Sequence, residues 1–168
     1  MSAPAPTSPP AASSKLTAAE LGAWRGFLRV HAALLASLDG ELEQRHGLPL
    51  TSYEVLLTLA ASPDRRVRMS ELAESVLLSR SGCTRLVDRL ERDGLVERRE
   101  CPVDARGSLA VLTDQGLACF RDAQGTHLAG VRERFTDRFS EEELEQLGIL
   151  WERVQPGAVS AELRSGQR

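Results

Sequence analysis

Along most of the chain, apolar residues recur every three or four positions between short polar breaks, the pattern of amphipathic helices. The first such stretch is expected from about Ala18 to His46. It carries Leu21, Trp24, Leu28, His31, Leu35, Leu38 and Leu42 on one buried stripe and stops at Gly47. A second helix is expected over about Ser52 to Ala61, closed by Pro63 and followed by a polar turn from Asp64 to Arg68. A short third helix, from near Ser70 to near Val76, leads through Leu77-Leu78-Ser79 into a fourth, about Arg80 to Asp93, capped by Gly94. The period then changes. Leu95 to Cys101 and Ser108 to Leu112 read as extended runs, with Pro102 and Gly107 bracketing an open hairpin tip. Thr113 caps a long helix to about Arg134 with Leu117, Phe120, Leu128, Val131 and Phe135 at helical spacing. A last helix, about Glu141 to Val154, presents Leu144, Leu147, Leu150, Trp151 and Val154.

Helix starts carry a second signal. Thr17-Ala-Ala-Glu20, Thr51-Ser-Tyr-Glu54 and Ser140-Glu-Glu-Glu143 each have a hydroxyl and a carboxylate spaced to satisfy each other's orphan amides. Apolar pairs flank all three: Leu16 with Leu21, Leu50 with Val55, and Phe139 with Leu144.

The resulting order is mainly α with a small β-hairpin wing: a winged helix-turn-helix lobe over residues 50–112 plus a helical lobe. The helices over 17–46, 113–135 and 140–154 are too long to pack on the winged lobe alone, and a second copy of the chain is the simplest cover for their stripes, so they are expected to dimerise. One domain is expected over 16–154, between a disordered tail at 1–15 and a loose tail at 155–168.

Composition narrows the function. No stretch reaches the roughly 18 apolar residues of a membrane span, and the Ala/Pro/Ser-rich start lacks the basic and apolar regions of a secretory signal. Three scattered cysteines and three scattered histidines make neither a disulfide frame nor a metal spacing, so the expected compartment is the cytoplasm and no cofactor or metal is expected. No nucleophile–base set or Gly-rich phosphate loop points to an enzyme. The net charge is −3, yet Arg65 to Arg106 holds ten arginines against eight acids.

Those arginines concentrate on the fourth helix. Cys83, Leu86, Val87 and Leu90 fall on one side, facing Leu72, Ala73 and Val76 of the preceding helix; Ser81, Thr84, Arg85, Asp88, Arg89 and Arg92 fall on the other. Short hydroxyls near a helix start and guanidinium groups one turn apart suit a DNA major groove. The same wheel also fits a solvated helix with ion pairs such as Asp88–Arg92 and Arg85–Asp88–Arg89.

The run Ser79-Arg-Ser-Gly-Cys-Thr-Arg-Leu-Val-Asp-Arg-Leu-Glu-Arg-Asp-Gly-Leu-Val-Glu-Arg-Arg99 resembles the recognition helix and first wing strand of multiple-antibiotic-resistance (MarR) family regulators. Asp104-Ala-Arg-Gly107 and Leu112-Thr-Asp-Gln-Gly116 are similar to that family's wing and following helix start. The resemblance implies a dimeric repressor on an inverted repeat of double-stranded DNA. In it Ser79, Arg80, Ser81, Thr84, Arg85 and Arg89 face DNA, Arg106 enters a flanking minor groove and Asp104 orients the wing. Leu77 stands where many such turns carry Gly.

It also implies a small aromatic or anionic effector, for which Trp24, Arg25, His31 and Tyr53 are the candidates. A core role competes: Trp24 in a dimer core, His31 hydrogen-bonded there and Arg25 paired with an acid. Peroxide-sensing relatives carry a reactive Cys in the first helix, which this chain lacks; Cys83 is expected in the core, leaving Cys101 as the candidate reactive thiol. The alternative function is a winged-helix protein-interaction module that does not bind DNA.

Overall fold

The structure, a computed structural model, describes residues 15–101 and 104–159, with side chains outside 101–106. Six α-helices and three strands follow in the order α1 (Ala18–His46), α2 (Leu50–Ala61), β1 (Arg66–Arg68), α3 (Met69–Ser75), α4 (Arg80–Arg92), β2 (Val96–Cys101), β3 (Asp104–Leu112), α5 (Asp114–Arg134) and α6 (Glu141–Val154). The chain falls into two units that divide within α1, one ending at Ala33 and one beginning at Leu34.

The first unit holds the start of α1. Its capping box is formed: the Thr17 amide donates to the Glu20 carboxylate at 2.7 Å and the Glu20 amide to the Thr17 hydroxyl at 3.2 Å. Those bonds hold the Glu20 carboxyl below its ordinary range. The stripe expected to be buried is exposed here, Trp24 at 53% and Leu28 at 44%; burial along α1 begins only at Leu38 and Leu42. A stripe is buried only where another element covers it, and among the described residues the first unit's only element is the start of α1.

The second unit is built on a core of Leu42, Tyr53, Val55, Leu56, Leu59, Leu72, Val87, Leu90, Val96 and Ala123, all under 2% exposed. Against it lies a three-stranded antiparallel sheet ordered β1-β3-β2, with Arg66 opposite Val111 and Val96 opposite Leu112. β1 replaces part of the expected polar turn. Asp64 and Arg65, both with positive φ, turn the chain so that Arg66–Arg68 can pair with β3. The hairpin is longer than expected, since β3 begins at Asp104, paired with Cys101.

Two of the three expected capping boxes exist. Ser140 and Glu143 exchange both bonds at the start of α6. Thr51 and Glu54 do not: α2 begins two residues earlier, at Leu50 after Pro49, and Asp39 of α1 takes the Leu50 amide at 2.8 Å. A carboxylate from a neighbouring helix therefore does the work expected of a local hydroxyl. Downstream, Thr113 accepts from the Gly116 amide at 2.9 Å and opens α5. Only glycine fits at 116, because a Cβ there would sit 2.0 Å from the Leu95 carbonyl oxygen. Beyond α6, the Gly157 and Val159 amides donate to Glu152 at 2.8 and 2.5 Å.

Candidate nucleic-acid interface

Ser79 starts α4, its hydroxyl accepting from the Gly82 amide at 3.1 Å. Cys83, Leu86, Val87 and Leu90 are buried as expected, Cys83 and Val87 completely. They dock on Leu72 and Ala73 of α3, which are also buried, so α3, a turn and α4 form the helix-turn-helix. The turn passes through Leu77 in the left-handed region, φ 51°, at the position expected to suit glycine. α4 ends at Arg92, and at Gly94, φ 74°, the chain turns into β2.

Anchoring this back leaves the other side of α4 open. Ser79, Arg80, Ser81, Thr84, Arg85 and Arg89 are all exposed. Their chemistry differs. The Thr84 hydroxyl donates to the Arg80 carbonyl at 2.9 Å, so it offers acceptor lone pairs and a methyl outward. Arg80 and Arg85 make no side-chain hydrogen bond or ion pair among the described residues. Arg89 donates to Ser52 of α2 at 3.0 Å, a tie between α4 and the core that helix periodicity does not reveal.

The ion pairs that a solvated helix would allow along α4 do not form. Asp88 pairs with Arg98 of β2 at 2.6 Å, not with Arg85, Arg89 or Arg92, while Arg92 donates to the Asp88 backbone carbonyl at 3.3 Å. The pairing follows from the sheet, which brings β2 alongside the helix. The backbones of Asp104 and Arg106 lie in β3; their side chains, and that of Cys101, lie outside the described residues.

The effector candidates are divided between the two units. Trp24, Arg25 and His31 are exposed in the first unit, where the rings of Trp24, Phe27 and His31 follow one another at 6.1 and 5.9 Å. Tyr53 belongs to the second unit and is 1% exposed, its ring packed against Phe120 at 5.5 Å and His127 at 4.5 Å. Burial raises its phenol above the ordinary range. Tyr53 is thus occupied in the core rather than standing open to a ligand. A cleft of about 350 Å³ in the same unit is lined by His46, Ser52, Arg89, Asp93 and Cys119, among others. Burial pushes the Cys83 thiol up against the opposing effect of Arg98, and burial, reinforced by Asp122, does the same at Cys119; neither is poised as a thiolate.

The MarR family model matches residues 46–107, spanning the end of α1 through the wing. HTH-type transcriptional regulator MhqR from Bacillus subtilis is 31% identical over 110 residues, covering 66% of this chain and 74% of that protein. The chain belongs to the MarR family. MarR proteins are DNA-binding transcriptional regulators, not enzymes.

Solved MarR structures agree in fold. A MarR family regulator from Streptomyces coelicolor in complex with DNA superimposes with a TM-score of 0.79 at 39% identity, covering 85% of this chain and 96% of that one. CouR from Rhodococcus jostii, bound to p-coumaroyl-CoA, superimposes with a TM-score of 0.69 at 27% identity, covering 80% and 93%. Among the described residues, no helix is long and apolar enough to cross a membrane.

Proposed function

We propose that this MarR protein is a cytoplasmic dimeric repressor. Two copies present their α4 helices to successive major grooves of a palindromic operator, and a small aromatic or anionic ligand releases them. The observation that carries the reading is α4 itself: four buried apolar residues on one side, and exposed hydroxyls and guanidinium groups on the other. In a groove, Ser79, Arg80 and Ser81 meet phosphates and base edges at the helix start. Thr84 and Arg85 read bases, and Arg89 holds the backbone further along. Arg106 takes the flanking minor groove, where negative potential is concentrated, with Asp104 orienting it.

Dimerisation is supported by apolar side chains left in water on α1 and α6: Trp24, Leu28, Val30 and Leu35 on the first, and Ile149, Leu150 and Val154 on the second. The DNA complex of the Streptomyces relative supports the groove reading, and the ligand of CouR, a phenol joined to the anionic CoA, supports an aromatic or anionic effector. Release then requires only that the ligand bind better to a dimer whose recognition helices are not one helical turn of DNA apart.

The test is a gel shift on intergenic DNA beside the gene. Wild-type protein is expected to retard a fragment containing an inverted repeat. Arg85→Ala is expected to weaken that binding by about 1–3 kcal/mol without changing the melting temperature. Failure of the wild-type protein to retard any such fragment at low salt would instead favour the protein-interaction module, and binding by Arg85→Ala equal to wild type would overturn the role given to Arg85.

A further inference from the structure

Asp88 is an awkward residue for a DNA-reading helix. It sits on the outer side of α4, three residues after Arg85 and four before Arg92. A carboxylate there repels phosphates, and at these spacings it can also claim the guanidinium groups that should meet them. Instead it is held by Arg98. One terminal nitrogen of Arg98 lies 2.6 Å from the Asp88 carboxylate and also donates to the Thr84 carbonyl at 3.0 Å. The Arg98 backbone amide donates to the Glu91 carboxylate at 3.0 Å. β2 is therefore bound to α4 at positions 84, 88 and 91, nearly two turns of helix.

The clasp is partly dry. The Arg98 side chain is 29% exposed, and its Nε is buried without a partner. Of the three arginines that share the outer face with Asp88, none takes its carboxylate. Arg85 has no side-chain partner among the described residues, Arg89 turns to Ser52, and Arg92 reaches only the Asp88 backbone.

We propose that Arg98 is a positioning residue for DNA binding: it occupies the Asp88 carboxylate from the wing side and so keeps Arg85 free for DNA. This rests on the reading of the outer side of α4 as the DNA face. Without Arg98, Asp88 turns to the arginines one turn away, and the face loses both a free guanidinium and part of its positive potential.

The test is a double-mutant cycle in equilibrium binding. The probe is a duplex of about 30 base pairs, room for two half-sites, recovered from a randomised library with wild-type protein. Arg98→Ala is expected to weaken binding about tenfold, and adding Asp88→Asn to recover most of that loss. Asp88→Asn alone is expected to bind at least as tightly as wild type. Arg98→Lys, which keeps a charge beside Asp88, is expected to retain most of the affinity and covers the case in which Arg98→Ala folds poorly. A double variant as weak as Arg98→Ala, or an Arg98→Ala that binds normally, overturns the proposal. Arg85→Ala separates the two ideas. If it weakens binding while Asp88→Asn fails to rescue, only the role of Arg98 falls; if it binds normally, the reading of α4 falls and this proposal with it.

Discussion

Leu77 shows how a single residue can work against its own conformation. It holds a left-handed backbone, φ 51°, and is 92% exposed, so the fold gains almost no burial from its side chain. Such a backbone costs an ordinary residue about 1–2 kcal/mol, part of which glycine gives back through its freer unfolded chain. Leu77→Gly is therefore expected to raise stability by up to about 1 kcal/mol, read as a rise in melting temperature; a fall would mean that the side chain makes a stabilising contact. The position was legible in the sequence because turn geometry depends on neighbours. The partner of Asp88 was not. The sequence offers three arginines within one helical turn, and the residue that takes the carboxylate arrives from β2, ten positions away. The ring packing of Tyr53 was hidden for a similar reason, since its partners Phe120 and His127 lie on α5, more than sixty residues on.

At the scale of elements, local signals succeeded where a few adjacent residues decide the outcome. The caps at Thr17, Thr113 and Ser140 hold, and α1 and α4 stop before Gly47 and Gly94. Failures came where a distant segment decides. β1 exists because β3 offers a free edge some forty residues later, and α2 starts where Asp39 can reach it. The contact between α2 and α5 carries its own pH dependence. The His127 ring lies 4.5 Å from Tyr53, its Nδ1 is buried without a partner, and burial holds its pKa below the ordinary 6.5. A histidine neutral in the fold but charged in the unfolded chain favours unfolding as protons are added. Its contribution is whole above pH 6.5 and is lost as pH falls below that value toward the folded pKa. His127→Phe, which keeps a ring beside Tyr53, should flatten the decline in urea midpoint between about pH 7 and about pH 5. An unchanged decline would place the titrating group elsewhere.

For the whole molecule, the apolar face of α1 is the feature the single chain does not explain. Trp24, Leu28 and Leu35, which share one stripe, each leave at least 40% of their surface in water, a pattern that marks interaction surfaces. Fully burying one such side chain is worth about 1.5–3 kcal/mol, so several together can hold two copies in contact. Sedimentation should therefore find a dimer at micromolar concentration, and Leu28→Glu should shift it to monomer while helix content stays the same. A wild-type monomer would leave the second recognition helix, and with it the palindromic operator, without a basis.

The most direct test of the account is hydroxyl-radical footprinting of the wild-type protein on a duplex selected for binding. Two protected patches related by a twofold axis are expected, with major-groove centres about 34 Å apart and protection extending into the flanking minor grooves. A single unpaired patch, or protection by Arg85→Ala at the same protein concentrations as wild type, would contradict it.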